Sequence, residues 1–341
     1  MSLEHAALDA LLADARLVEL CDLQRTSDEF LDVVKLSENQ HSDILAWLFD
    51  SREGHGQGDE ILRDFLIAAS VAAASGNSGL DARCTTARFF SAWTPARIRT
   101  TSFGSSFCAR ELGMNESERV DLFVIDTQNR FILLIENKAR AKHEEGQLEG
   151  YRTSFQEAVR QNSKLRAFDH VYIALDRLFD GEDASDRACA KTCPHMNYGW
   201  LETSATRALR HVERGNAAAR LVVSYCDRQT DWESPSVERC VALASELHQD
   251  HAEAVSSLIN ESPGRVERKW FENGKGDEHL YQFLLQNRGA VALLKETKGM
   301  TSLAISLRGI PGLSASNIHA VRAKLNICPN GWDQYAGDGD W

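Results

Sequence analysis

RVDLFVIDTQNRFILLIENKAR, residues 119–140, decides the fold. Its two apolar runs, VDLFVID and RFILLIENK, have the length and the β-branched and aromatic content of strands. The polar cluster DTQNR between them has turn chemistry, so the two runs form a hairpin. With a two-residue loop at Gln128 and Asn129, or a four-residue loop, facing positions sum to 257 and Asp121 lies across from Glu136. A three-residue loop would place the two acids on opposite faces. In the first register their Cβ atoms are roughly 5 Å apart. Lys138, two residues after Glu136, shares that face.

Two carboxylates facing each other in an apolar sheet repel and resist ionisation unless positive charge lies between them. A divalent cation removes the conflict, and an all-oxygen site that keeps several waters suits magnesium or manganese. A lysine beside such an ion activates a water or offsets developing negative charge, which is what phosphodiester hydrolysis needs. The plainer alternative is a salt-bridged strand end in which Lys138 and Arg119 pair with the two acids.

At 341 residues and 43% hydrophobic content the chain can bury one elaborated domain or two smaller ones. The opening MSLEHAALDALLADARLVEL carries acids and no basic lead before an apolar stretch, and no run reaches the eighteen apolar residues that would span a bilayer. A cytoplasmic protein with no membrane contact is the expectation. The eight cysteines, at 21, 84, 108, 189, 193, 226, 240 and 328, follow no disulfide framework and are expected to be reduced. A net charge of −12 argues against a polyanionic partner, but residues 1–80 hold fifteen acids against five basic residues and so account for ten of those charges. Basic clusters lie close to the hairpin: Arg97, Arg99 and Arg110; Lys138, Arg140 and Lys142; Arg160, Lys164 and Arg166.

Helical spacing is expected over residues 4–24, 27–49 and the stretch after the glycine-broken loop GHGQG. The period then shortens: ARIRTTSFGSSFCARE reads as extended, followed by the two hairpin strands, a helix over 143–166 and the strand DHVYIALD. Beyond residue 231, helices over 236–260 and 278–288 and strands at AVALLKE and TSLAISLR suggest an appended α+β portion. The span 182–198 reads as a loop.

Asp121, then Glu136-Asn137-Lys138 at the end of an apolar strand, resembles the PD-(D/E)xK nuclease superfamily, with Val120 where the superfamily's name has proline. Gln147-Leu148-Glu149-Gly150-Tyr151 resembles the QhxxY motif of its RecB-like branch, and SENQHSDILAWLFDSREGHGQGDEIL resembles the start of uncharacterised bacterial members. The resemblance implies an α/β, restriction-endonuclease-like core with a mixed central sheet flanked by helices. Residues 1–80 would be N-terminal helices contributing to that core, 81–230 the core itself, and 231–341 an α+β region of unknown role. It further implies a nuclease using Mg2+, with Mn2+ able to substitute, in which Asp121, Glu136 and the Asn137 carbonyl bind metal and Glu38 adds an acid from the leading helix. Lys138 and Gln147 would serve catalysis. Tyr151, Ser42, Arg97, Arg99, Arg140 and Lys142 would contact substrate, and His41 and His55 are weaker candidates for phosphate contact.

The implied partner is nucleic acid, DNA in preference to RNA, in a defence or repair role; the C-terminal region is a candidate for homodimer or partner contacts. Two other readings remain open: an inactive binding module on the same fold, and a zinc protein built on Cys189, Cys193 and His195, which supply only three ligands. Neither a helix-turn-helix nor a Walker lysine loop is visible.

Overall fold

The acidic N-terminus forms two helices, not one: α1 (Leu3–Leu12) and α2 (Ala15–Arg25). They break at Asp14, whose carboxylate accepts from the Arg16 backbone N–H at 2.8 Å and from its guanidinium. The computed structural model describes residues 3–25, 31, 36–75, 78–113, 119–138, 147–179, 191–261, 278–307, 318–321 and 324–327. The chain divides into two compact units, residues 29–232 and residues 1–28 with 233–341.

In the first unit, α3 (Glu38–Phe49) starts at a capping box: Ser37 accepts from the Gln40 N–H while the Gln40 side chain accepts from the Ser37 N–H at 2.7 Å. The helix expected from residue 27 therefore has a start signal at Ser37. After α4 (Glu60–Ala74) and α5 (Thr85–Ala92), part of the segment read as extended is instead a short helix, α6 (Pro95–Thr100). Thr94 caps it and Pro95 opens it, a local signal that outweighs the β-like composition. The sheet follows: β1 (Phe107–Gly113), β2 (Arg119–Asp126), β3 (Phe131–Lys138), then α7 (Gln147–Gln161), β4 (Asp169–Asp176) and β5 (His195–Met196). Helices α8 (Leu201–Glu213) and α9 (Ala219–Gln229) complete the unit.

The strands lie in the order β1-β2-β3-β4-β5, with β1, β2 and β3 antiparallel and β3, β4 and β5 parallel. This is an α/β fold with a mixed, helix-flanked sheet, consistent with the restriction-endonuclease-like expectation. Strand alternation sends Leu122, Val124, Leu133, Ile135, Ile173 and Leu175 into one core, with Leu45, Phe65 and Phe89 from the helices. The other face packs Ile132, Leu134 and Tyr172 against Tyr151 and Phe155 of α7.

The hairpin turn occupies residues 127–130, with Asp126 paired to Phe131, so the sum of 257 holds from Leu122–Ile135 onward. Buried Asp126 fixes this turn: it accepts from the Asn129 N–H at 2.7 Å, the Asn129 amide at 2.9 Å and the Ser106 hydroxyl at 2.8 Å. Asp126→Ala leaves those donors unsatisfied in a buried turn. Urea denaturation is expected to show a loss of about 2–4 kcal/mol.

In the second unit, α1 and α2 pack with α10 (Pro235–Asp250), α11 (Ala252–Glu261), α12 (Glu278–Gln286) and α13 (Arg288–Leu307); β6 (Ile318–Val321) pairs with β7 (Lys324–Ile327). Leu11, Leu17 and Leu20 share a core with Leu243, Leu247, Leu258 and Leu294, and Arg16 pairs with Asp250 at 2.7 Å. The first two helices thus belong with the C-terminal helices, because their apolar face is covered there, whereas the sequence partition grouped residues 1–80. The strand expected at AVALLKE, and residues 301–307 of the one expected at TSLAISLR, are instead parts of α13. Ala290, Val291, Leu294 and Thr297 are buried at helical spacing, and the Thr297 hydroxyl donates to the Leu293 carbonyl at 2.8 Å.

Candidate active site

The β2–β3 pairing ends at Leu122–Ile135, and the next residue of each strand, Asp121 and Glu136, lies at the end of the sheet away from the turn, close enough for the Asp121 charge to act on Glu136. Asp121 is half-buried, and its Oδ2 accepts from the Asn137 backbone N–H at 2.8 Å. Glu136 is 1% exposed; Lys138 Nζ lies 3.1 Å from its Oε1, while its Oε2 is buried without a hydrogen-bond partner. Burial and the neighbouring Asp121 charge push the Glu136 carboxyl up to about 8, with Lys138 opposing. Burial likewise raises Asp121, against the Asn137 N–H and Lys138. Burial pulls the Lys138 ammonium down, but Glu136 and Asp121 together hold it above its ordinary value.

With its carboxyl pushed up to about 8, Glu136 holds a proton beside Asp121, and ionising both acids calls for positive charge beyond that of Lys138. A buried carboxylate oxygen with no partner is costly, and a divalent cation would satisfy it. Asp121, Glu136 and the Asn137 main-chain carbonyl form an all-oxygen set that fits magnesium or manganese. Glu38, in the first turn of α3, is close enough to raise Asp121 and Lys138 electrostatically. Among the described residues, no three His, Cys, Asp or Glu side chains converge as a metal-binding group.

Beneath the site runs a buried polar chain that sequence patterns did not reveal. The Asn137 amide donates to Ser42 Oγ at 3.1 Å, and the Tyr198 hydroxyl donates to Asn137 Oδ1. Tyr198 and Tyr225 are hydrogen-bonded neighbours with rings edge-on at 6.1 Å. His41 Nδ1 lies 3.3 Å from the Tyr225 hydroxyl and 3.2 Å from Gln229 Nε2. Asn137 therefore bridges the strand of Glu136 and Lys138 to the helix of Glu38. Ser42 and His41, expected at the substrate, are instead 3% and 4% exposed and serve this bridge. Tyr198→Phe removes the bond to Asn137. It is expected to cost about 1–2 kcal/mol of stability and to weaken metal binding roughly tenfold, measured by denaturation and calorimetry.

The other expected site residues are distributed unevenly. Tyr151 is 9% exposed, and its ring is part of the core under α7. Gln147 begins α7, with its side chain outside the described residues, as are Arg140 and Lys142. Arg97 and Arg99 are not brought to the carboxylates. Arg97 stacks on Trp93 at 3.8 Å, and Trp93 packs against Phe131 at the turn end of β3, about 17 Å from Glu136 by strand rise. His55 is buried, accepting from Gln57 N and contacting the Asp50 carbonyl, away from phosphate chemistry.

Asp176 and His195, which sequence reading did not join to the hairpin, border the site from the next strands. Asp176 is the register neighbour of Lys138, and His195 Nε2 lies 3.7 Å from its Oδ2. Of the zinc set considered, Cys189 is outside the described residues, Cys193 is buried in the α7-side core and His195 turns to Asp176.

A family model described as the PD-(D/E)XK nuclease superfamily matches residues 28–227, a span that covers the whole sheet and the carboxylate pair. No curated protein and no solved structure matches the chain. Among the described residues, no helix is long and apolar enough to cross a membrane.

Proposed function

Because the chain belongs to the PD-(D/E)XK nuclease superfamily, we propose that it is a metal-dependent nuclease that hydrolyses phosphodiester bonds, with DNA preferred to RNA. The observation that carries this reading is the unpartnered, buried Oε2 of Glu136 beside Asp121 and Lys138. A binding module that had lost its chemistry would gain nothing from a repelling buried carboxylate pair, which only costs stability. DNA, and a role in defence or repair, are assigned by analogy with the superfamily.

Asp121, Glu136 and the Asn137 carbonyl would hold magnesium or manganese, which when bound supplies an acidified water and Lewis acidity at the phosphate. Lys138 is held protonated by the two carboxylates, so its role is to donate. It orients the attacking water and offsets charge that develops on the phosphoryl oxygens. Gln147, at the first position of α7, is assigned to orient Lys138 or the phosphate, in keeping with the QhxxY branch. The assay is incubation of the protein with plasmid, linear duplex, single-stranded DNA and RNA in magnesium, manganese or EDTA. Metal-dependent cutting of DNA is expected; cutting only of RNA would overturn the substrate assignment, and no cutting of any substrate would overturn the activity.

A further inference from the structure

A second feature of the same unit lies beside β4, outside the carboxylate cluster. Arg83, Cys84, Thr85, Arg88, Arg152, Gln156 and Thr192 line a cleft of about 230 Å3. Three of these seven residues are arginines and none is acidic, in a chain whose acids outnumber its basic residues 50 to 38. Arg152 is engaged by Glu149. Arg83 and Arg88 are exposed and, among the described residues, make no ion pair, so their guanidinium charge is not spent on the protein. The cleft also receives the start of α5, with Cys84 as its cap and Thr85 as its first residue, which adds the positive end of a helix dipole.

The cleft has a definite relation to the carboxylates. The Thr86 hydroxyl accepts from the Tyr172 backbone N–H at 3.2 Å, which fixes the start of α5 against β4 just before its short pairing with β5 at Ala174. Tyr172 pairs with Leu134, two residues before Glu136, and Arg152 and Gln156 stand on α7, whose first residue is Gln147. Strand geometry then sets the cleft about 7 Å along the sheet from the level of Glu136 and one or two strand spacings of about 4.8 Å to its side. A few nucleotides cover that span.

We propose that this arginine cleft is a phosphate-binding site that seats a backbone phosphate of the nucleic acid a few nucleotides from the bond that is cut. Guanidinium forks match phosphate oxygens in a way that lysines do not, and such contacts position a strand without reading its sequence. The site thereby fixes which phosphate reaches Glu136 and Lys138. This assignment rests on the nuclease reading for its ligand, though not for its charge.

The test is fluorescence anisotropy of labelled DNA oligonucleotides in EDTA across a salt series, with wild type, Arg83→Ala/Arg88→Ala and Arg83→Lys/Arg88→Lys, and with inorganic phosphate and a nucleoside monophosphate as competitors. Circular dichroism checks the fold of each. The alanine pair is expected to bind DNA about tenfold more weakly, with a salt slope lower by about one. The lysine pair is expected to recover the slope and only part of the affinity. Unchanged affinity and slope in the alanine pair, with wild-type binding intact, would overturn the cleft and leave the nuclease reading standing. If wild type binds phosphate or the monophosphate through these arginines but no oligonucleotide, the backbone assignment fails together with the nucleic-acid reading. Binding of none of these ligands overturns both.

Discussion

Lys138→Ala is expected to lower the rate of DNA cleavage by about 10²–10⁴-fold while changing substrate affinity by only a few fold. The reason is geometric. Nζ is 3.1 Å from Glu136 Oε1, and its charge acts on both Glu136 and Asp121. Its charge matters most when negative charge builds on the phosphate, so its loss falls on the chemical step. Single-turnover kinetics at saturating protein separates that step from binding. The same variant should also raise the Glu136 carboxyl further, because Lys138 is what opposes burial and Asp121 there. A fall in affinity matching the fall in rate would instead make Lys138 a general phosphate contact.

The second large effect is on stability. In the folded chain the Glu136 carboxyl stands at about 8, above its ordinary 4.5, so the folded state holds that proton more tightly than the unfolded state. The stability contributed by the proton is whole below about pH 4.5 and is lost as pH rises through about 8. Metal-free wild type is therefore expected to lose on the order of a few kcal/mol across that window. Glu136→Gln, neutral throughout, should be flatter and more stable than wild type at pH 8 and above. Magnesium should restore wild type there and release a proton near neutral pH, because a ligating carboxylate must give its proton up. Denaturation curves at several pH values check the first part, and calorimetry in buffers of different ionisation enthalpy checks the second. Parallel pH profiles for the two proteins would contradict this account of Glu136.

The hairpin of β2 and β3 and the later strand β4 were legible in the sequence because they rest on apolar strand runs and turn chemistry, whereas the two-residue β5 lies in the span 182–198 that reads as a loop. DTQNR left two loop lengths in agreement, and the observed turn is one of them. What was not legible depends on contacts distant in sequence. Nothing near Tyr198 marks it as the donor to Asn137, 61 residues away, and Ser42, expected at the substrate, shows its role only through its bond to Asn137. Arg97 and Arg99 looked close because α6 precedes the sheet in sequence, yet α6 packs at the turn end. The misread strands of α13 show the opposite failure. A run of apolar residues does not declare its period, and the burial of Ala290, Leu294 and Thr297 on one side decided it.

The most direct measurement is the rate of DNA cleavage by wild type and Glu136→Ala, prepared identically, in magnesium and again after EDTA. The paired-carboxylate account predicts cutting by wild type that EDTA abolishes, and none by the variant, whose circular dichroism matches wild type. Equal cutting by the two proteins, or cutting that survives EDTA, would contradict it.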